Sequence, residues 1–515
     1  MNVVTGEAMQ AMDRRTIEDF SVSGLTLMEN AGRGCAEVII SEFGNGPGHR
    51  AVVVAGKGNN GGDGYVIARL LRDQGWQVAT FVLAPHDEIC GDARVNLDLL
   101  KDAAVVFCPD QGNLARYQSV IRESHVIVDA LLGTGLKSEV RGIYADAVEL
   151  INAAGKPVVS VDIPSGIDAG NGRVLGCAVR ANFTVTFALA KLGHLLFPGI
   201  DYTGRLQVVD IGIPEEVVAK ADICEFLDAA EIRPLLRKRD RSAHKGDFGH
   251  CLIVAGSTGK TGAAAMAANS AVRSGAGLVT LAIPASLNHI LEMKTTEAMT
   301  FPLPDEGKGY LSFQAKEIIE KALKGKDALA LGPGISWLPE TSSLVRELTE
   351  KMLLPMVVDA DGLNALSDEP SVLLRRRSSD IILTPHPGEM ARLAGTTTDA
   401  VEADRVGMAR NFAMKYRVYL ILKGARTLIA APDGRIALNG SGNPGMASGG
   451  MGDVLTGVLV SLLGQGYDTF AACKLGVFLH GHAADLVAAE KGEIGMSAVD
   501  VQEMLPYAIK ELMTA

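Results

Sequence analysis

Short apolar runs recur along the chain, each closing on a turn of Gly, Asp or Pro and each followed by a helix-length stretch. In the first half these are AVVVAGKGNNGGDGYVIARLL (51–71), WQVATFVLA, AAVVFCP, HVIVDALLG, PVVSVDIP, FTVTFALA and LQVVDIGIP. In the second half they are GHCLIVAGS, LVTLAIP, DALALGPG, PMVVDADG, IILTPHPG, YLILKG and TLIAAP. A run that is apolar on successive residues must be buried on both faces, and parallel neighbours need a crossover long enough for a helix. The pattern predicts an α/β chain with mostly parallel, doubly covered sheets. Helix is expected from Thr5 to about Phe43 and again from about Gly452 to the C-terminus. Fifty-eight glycines against 14 Phe and 2 Trp suit tight βα loops.

The basic stretch LDAAEIRPLLRKRDRSAHKGDFGH (227–250) breaks the rhythm. It sets a boundary near 225–235, with domains expected over 1–225 and 226–515. The halves share no motif, so no internal repeat is read. A formal net charge of -11 opposes nucleic-acid binding but not nucleotide binding by backbone N–H groups. Seven scattered cysteines without CxxC spacing argue against a zinc site or a disulfide framework and fit a reducing cytoplasm. No apolar targeting segment or membrane span is read, and a cytoplasmic location is expected. Expected partners are small molecules, with a homo-oligomer as the expected assembly and neither nucleic acid nor membrane.

Gly56-Lys-Gly58-Asn-Asn-Gly61 follows a strand and satisfies the dinucleotide spacing G-x-G-x-x-G. The next strand, ending near Leu83, lacks the acidic residue that would bind a ribose, and the loop carries Asn59, Asn60 and Asp63 instead. A Gly-rich loop can merely connect, but these polar side chains favour a ligand outside hydride-transfer chemistry. Asp129 and Asp162 each end a strand, where ligands of open α/β sheets bind. Asn60, Asp129 and Ser165 are oxygen donors at such ends and suit a hard cation. Each Asp alone could equally be a helix cap. Strand-end Asp162 is the candidate general acid or base.

NNGGDG, DALLGTG and DIPSGID, in this order, resemble the epimerase family for hydrated NAD(P)H over roughly residues 1–215. That resemblance implies a Rossmann-like three-layer α/β/α fold and a potassium ion held by Asn60, Asp129 and Ser165. It implies hydrate binding by Asn59, Asn60, Gly61, Gly62 and Asp63, and by Gly133, Thr134, Gly135, Leu136, Lys137, Ser138 and Glu139. Tyr144 and Asp162 lie nearby in the family's pattern. The variable stretch Leu-Lys-Ser-Glu makes those side-chain roles the least transferable.

GNPGMASGGMGDVLTGVL (442–459) is the most specific motif of the chain. Its glycines precede a helical pattern whose free N–H groups can hold a phosphate. Asp453, at the helix start, can take a proton from a hydroxyl during phosphoryl transfer. GSTGKTG (256–262) is not a Walker A loop, because its first glycine position is Val254. Gly334 closes LGPG, His386 and Glu389 lie in TPHPGE, and Lys423 opens KGART. His480 and His482 are read as structural.

LGPG, TPHPGE, LKGA and NPGMASGGMGD together resemble the ribokinase-like dehydratase family for hydrated NAD(P)H, over about 230–515. The whole chain thus resembles the fused bacterial repair enzymes. The resemblance implies ADP as co-substrate with magnesium. ADP would bind at Lys423, Gly424, Ala425, Arg426 and Thr427, and at Asn443, Pro444, Gly445, Met446, Ala447, Ser448, Gly449, Gly450, Met451 and Gly452. Gly334, His386 and Asp453 would contact the hydrate, Asp453 as the catalytic group. The competing reading is a ribokinase-like small-molecule kinase with a regulatory Rossmann-like module.

Overall fold

The computed structural model describes residues 1–100 and 104–514. Residues 2–223 form one compact unit and residues from Cys224 onward another. The boundary expected at 225/226 falls inside the strand Ile223–Leu227, whose residues from Cys224 pair with Ile436–Asn439.

The first unit carries a seven-stranded, all-parallel sheet in the spatial order Ala104–Phe107, Gln77–Val82, Arg50–Ala55, Val126–Ala130, Val158–Val161, Phe183–Phe187, Arg205–Val209. The first residue of AAVVFCP lies outside the described residues. Side chains alternate across a strand. Accordingly Ala51, Val53 and Ala55 join one apolar cluster, while Val52 and Val54 join another. Helices Gly24–Phe43 and Asn59–Asp73 cover the first face, and Ile143–Ala153 covers the second. The chain runs outward from Arg50–Ala55, then returns to place Val126–Ala130 on its other side. The crevice between those two strand ends is the topological switch point, where open α/β sheets bind ligands.

The second unit repeats the device in a different order: Met299–Leu303, Leu278–Pro284, His250–Val254, Ala328–Leu331, Met356–Val358, Ile381–Leu383, Tyr419–Leu422. These pair in parallel, and an antiparallel extension, Leu428–Ala430 and Ile436–Asn439, follows. Its switch point lies between His250–Val254 and Ala328–Leu331, where GSTGKTG and GPG emerge. Helices Thr261–Arg273 and Met451–Gly464 pack on one face, and Gly457 lets them touch: a Cβ there would sit 2.2 Å from the Ala267 carbonyl oxygen.

Two helical expectations are refined. The first stretch is two helices, Gly6–Phe20 and Gly24–Phe43, separated where Ser21 turns left-handed (φ 58°) and Ser23 caps the second. The C-terminal stretch is three helices, Met451–Gly464, Thr469–Lys491 and Ala498–Thr514. No helix among the described residues is long and apolar enough to cross a membrane. No disulfide joins any of the seven cysteines among the described residues.

Candidate active sites

In the first unit, the loop after Arg50–Ala55 turns at Gly56, whose N–H donates to the Ala130 carbonyl across the switch point (3.0 Å). Asn59 starts the next helix and is exposed, while Asn60, Gly61, Gly62 and Asp63 are buried. Gly61 is obligatory: a Cβ would lie 2.0 Å from the Gly56 carbonyl oxygen. Asn60 adjoins Gly133, and its buried amide nitrogen has no hydrogen-bond partner among the described residues. From Thr134 to Glu139 the loop is largely exposed; Lys137 pairs with Glu7 (3.2 Å) and Glu139 with Arg141 (2.6 Å). Tyr144 lies beside Lys57, and burial raises its phenol.

Asp129 is fully buried within Val126–Ala130. Its carboxylate accepts from Ser165 Oγ (2.6 Å), Ser165 N (2.9 Å), Ser160 Oγ (2.8 Å) and Leu131 N (3.3 Å). Burial pushes it up, and those donors hold the rise back. Asp162 follows Val158–Val161 in a left-handed conformation, φ 64°. Its Oδ1 accepts from Lys191 Nζ (2.6 Å) and Thr186 Oγ1 (3.1 Å), and its carbonyl oxygen lies 2.9 Å from His194 Nε2. Burial alone would raise the Asp162 carboxyl, but Lys191 outweighs it and the group falls below its ordinary value. Because the Lys191 N–H donates to His194 Nδ1 (3.0 Å), the ring proton sits on Nε2. Burial and Lys191 press the imidazole down to about 3, so His194 is neutral.

Sequence reasoning missed Lys191, which is completely buried, and with it His194 and Asp13. A lysine after an apolar run reads as solvated; only the fold brings it under Asp162.

In the second unit the helix Met451–Gly464 begins at Gly450, φ 93°. The backbone N–H groups from Gly449 to Asp453 have no acceptor among the described residues. Those donors and the helix dipole form an anion site. Asp453 sits beside them, its carboxyl pushed up to about 7 by burial, then by Asp359, with Lys423 acting against the rise and Asp361 and Glu389 adding to it. Lys423 Nζ bonds Asp359 Oδ1 (2.8 Å) and lies 3.7 Å from Glu389 Oε2. Burial would lower the Lys423 ammonium, but Asp359 and Glu389 prevail and it stays charged. Asp359, almost wholly buried, also accepts from Thr384 Oγ1 (2.7 Å) and Thr456 Oγ1 (2.9 Å). Gly452 lies against this pair: a Cβ would be 3.1 Å from Lys423 Nζ.

The other candidates surround this centre unevenly. Gly334 takes φ 60°, and its carbonyl accepts from Ser257 Oγ (2.7 Å). His386 caps the helix Pro387–Ala394, its Nδ1 accepting from Gly388 N, and burial lowers its imidazole. Gly424 to Thr427 form a loop braced by Arg405 on the Ala425 carbonyl (2.8 Å); the Arg426 guanidinium is spent on the Gly440 carbonyl (2.6 Å). Asn443 is anchored by Asp485 (2.9 Å), which fixes the glycine loop from Pro444 through Ser448. Asp359 escaped the sequence reading although DADG repeats the strand-end aspartate of Asp129 and Asp162.

Fold and sites define the class: an α/β enzyme whose second unit is ribokinase-like, with an anion site at a helix start beside an acidic group of raised pKa. The family model described as NAD(P)H-hydrate dehydratase matches residues 251–507, and the one described as YjeF-related protein N-terminus matches 24–193. The chain is 44% identical to the bifunctional NAD(P)H-hydrate repair enzyme Nnr of Moorella thermoacetica, over 99% of this chain and 97% of the relative. It is 39% identical to the Nnr of Thermofilum pendens over the same shares. Among solved structures, the ADP/ATP-dependent NAD(P)H-hydrate dehydratase of Bacillus subtilis, co-crystallised with ATP and Mg2+, is 30% identical with a TM-score of 0.50, covering 56% of this chain and 99% of that one. A ribokinase-like superfamily protein of Enterococcus faecalis, 21% identical with a TM-score of 0.50, covering 57% of this chain and 97% of that one, shares the fold. The chain belongs to the bifunctional NAD(P)H-hydrate repair enzyme family.

Proposed function

We propose that the chain repairs hydrated NADH and NADPH: the first unit interconverts the R and S hydrates, and the second dehydrates the S form with ADP. The observation that carries the second activity is Asp453, a carboxyl of raised pKa beside the open N–H groups of a helix start. Hydroxide is a poor leaving group and phosphate a good one. Asp453 takes the hydrate's hydroxyl proton as its oxygen attacks the terminal phosphoryl of ADP, and the N–H groups from Gly449 to Asp453 hold the developing charge. Lys423 remains cationic next to that centre. Loss of the phosphate from the ring, with the proton on the neighbouring carbon, restores the dihydronicotinamide and leaves AMP and phosphate.

Lys423–Thr427 and Asn443–Gly452 are assigned to ADP, and Gly334, His386 and Asp453 to the hydrate. Among the described residues no three of His, Cys, Asp and Glu cluster as a metal cage. Magnesium bound with the nucleotide would offset the charge of its phosphates. In the first unit Asn59–Asp63, Gly133–Glu139, Tyr144 and Asp162 are assigned to the hydrate. Asn60, Asp129 and Ser165 are assigned to potassium. Each offers a side-chain oxygen; the Asn60 amide, whose nitrogen is buried without a partner among the described residues, would turn its oxygen to the ion, and a rotation of the Ser165 hydroxyl would free a lone pair. Potassium would supply fixed positive charge at the switch point.

The test is direct. Hydrated NADH with ADP should regain the absorbance of reduced nicotinamide, fully from an R/S mixture. No recovery with either ADP or ATP overturns the reading; recovery with ATP alone corrects the nucleotide.

A further inference from the structure

Interconverting R and S at a carbon that bears both a hydroxyl and a ring nitrogen requires an acid as well as a base, if the first unit is an epimerase as proposed above. The base removes the hydroxyl proton and the C–O bond becomes a carbonyl. The carbon–nitrogen bond breaks, its electron pair goes to nitrogen, and the acid protonates that nitrogen. Reclosure on the other carbonyl face reverses each transfer, so nothing is consumed. Asp162 is the ionised member: Oδ1 is held by Lys191 and Thr186, and Oδ2 has no hydrogen-bond partner among the described residues.

Asp13 supplies the missing member. It lies on the helix Gly6–Phe20, seven residues from Gly6 and three from Gln10, hence on the same face. That face rests on the loop assigned to the hydrate. A Cβ at Gly6 would be 3.1 Å from the Thr134 carbonyl oxygen, and one at Gly135 would be 3.7 Å from Gln10 Nε2. Asp13 Oδ1 is buried without a hydrogen-bond partner among the described residues. An unpaired buried oxygen is costly on a carboxylate and far less so on a neutral acid. The charged groups acting on Asp13 are Lys191, already paired to Asp162, and Asp162 itself. We propose that Asp13 is the proton donor of this site, working with Asp162 as the base.

Burial, opposed by Lys191 and reinforced by Asp162, pushes the Asp13 carboxyl up to about 6, while Asp162 is driven the other way. Environments that separate two carboxyls in this manner assign acid and base. Asp63 is the competing donor. Burial, then Asp162 and Asp13, raise its carboxyl as well, and the Asp63→Asn variant below tells the two apart.

The test uses the full chain without ADP, following conversion of purified R hydrate to S by chromatography. Asp13→Asn should lower kcat about 100-fold or more, with KM changed less than about threefold. ADP-dependent dehydration of the S form should be unchanged. Wild-type kcat/KM for interconversion should fall as pH rises from 5 to 8, as the donor loses its proton. A profile that is flat or rising overturns the proposal whether or not the variant folds. So does wild-type kcat in Asp13→Asn, or loss in Asp63→Asn alone. If the wild-type protein does not interconvert the forms at all, the epimerase reading fails instead.

Discussion

Asp453→Asn separates function from stability at one atom. The Asp453 carboxyl moves from an ordinary 3.8 to about 7 in the folded chain, mainly through burial. At 1.36 kcal/mol per pH unit, the folded state gives up at most roughly 4 kcal/mol by holding this group ionised. The sign is fixed by which state keeps the proton. Below 3.8 both states are protonated and nothing is lost. Between 3.8 and about 7 the unfolded chain ionises first, and stability falls. Above 7 the full penalty applies. Asparagine carries no charge, so Asp453→Asn should raise the melting temperature of the second unit at pH 8 by several degrees and leave it nearly unchanged at pH 4. The same substitution should lower ADP-dependent dehydration by about 10²- to 10⁴-fold. Since the ionised form is the base, wild-type kcat/KM should climb about tenfold from pH 6 to pH 8. Calorimetry at the two pH values and initial rates across the range read both effects. A variant that is inactive and destabilised at pH 8 would assign Asp453 a structural role. A variant that is stabilised and fully active would remove it from the chemistry.

Lys423→Met breaks a buried pair and strands Asp359, which should cost about 3–5 kcal/mol in urea unfolding of the second unit. Gly61→Ala has no room, with a Cβ 2.0 Å from a backbone oxygen; it should abolish interconversion of R and S while S-form dehydration with ADP persists. Replacing potassium by lithium in the buffer should slow interconversion in the wild-type protein, and Asp129→Asn should be slow and indifferent to the ion. Equal rates in both salts for the wild type would remove potassium from the site.

How much of this was legible in the sequence depends on where each signal resides. Strands buried on both faces announce themselves as continuous apolar runs, and their loops follow at once; Gly61, Asp129 and Asp453 were readable for that reason. Met299–Leu303 was not, because it is an edge strand carrying Pro302, the position where a missing N–H is tolerated. Ser21 broke the first helix without glycine or proline to mark it. Asp359 carried a readable signature and was passed over beside louder motifs. Lys191 and Asp13 carry no local signature. One follows an apolar run as solvated lysines do, the other sits on an amphipathic helix, and only tertiary placement joins them to Asp162.

The two units solve one electrostatic problem twice. In each, a lysine pairs with a strand-end aspartate: Lys191 with Asp162 at 2.6 Å and Lys423 with Asp359 at 2.8 Å. That pairing spends the local cation. A second carboxyl nearby, Asp13 or Asp453, is then left near neutrality by burial that nothing fully repays. Such a group exchanges its proton readily at working pH, as acid–base catalysis requires. The roles differ. In the proposed chemistry the second unit needs its ionised carboxyl as a base, so its rate should rise with pH; the first needs its protonated one as an acid, so its rate should fall. Starting from the R hydrate, full repair passes through both units, and its rate must peak between the two carboxyls, near pH 6 to 7. From the S hydrate the first step is bypassed, and the acid-to-base rise of Asp453 alone should remain. One chain measured with the two substrates therefore yields two pH profiles, and identical profiles would mean that the carboxyls do not have these opposite tasks.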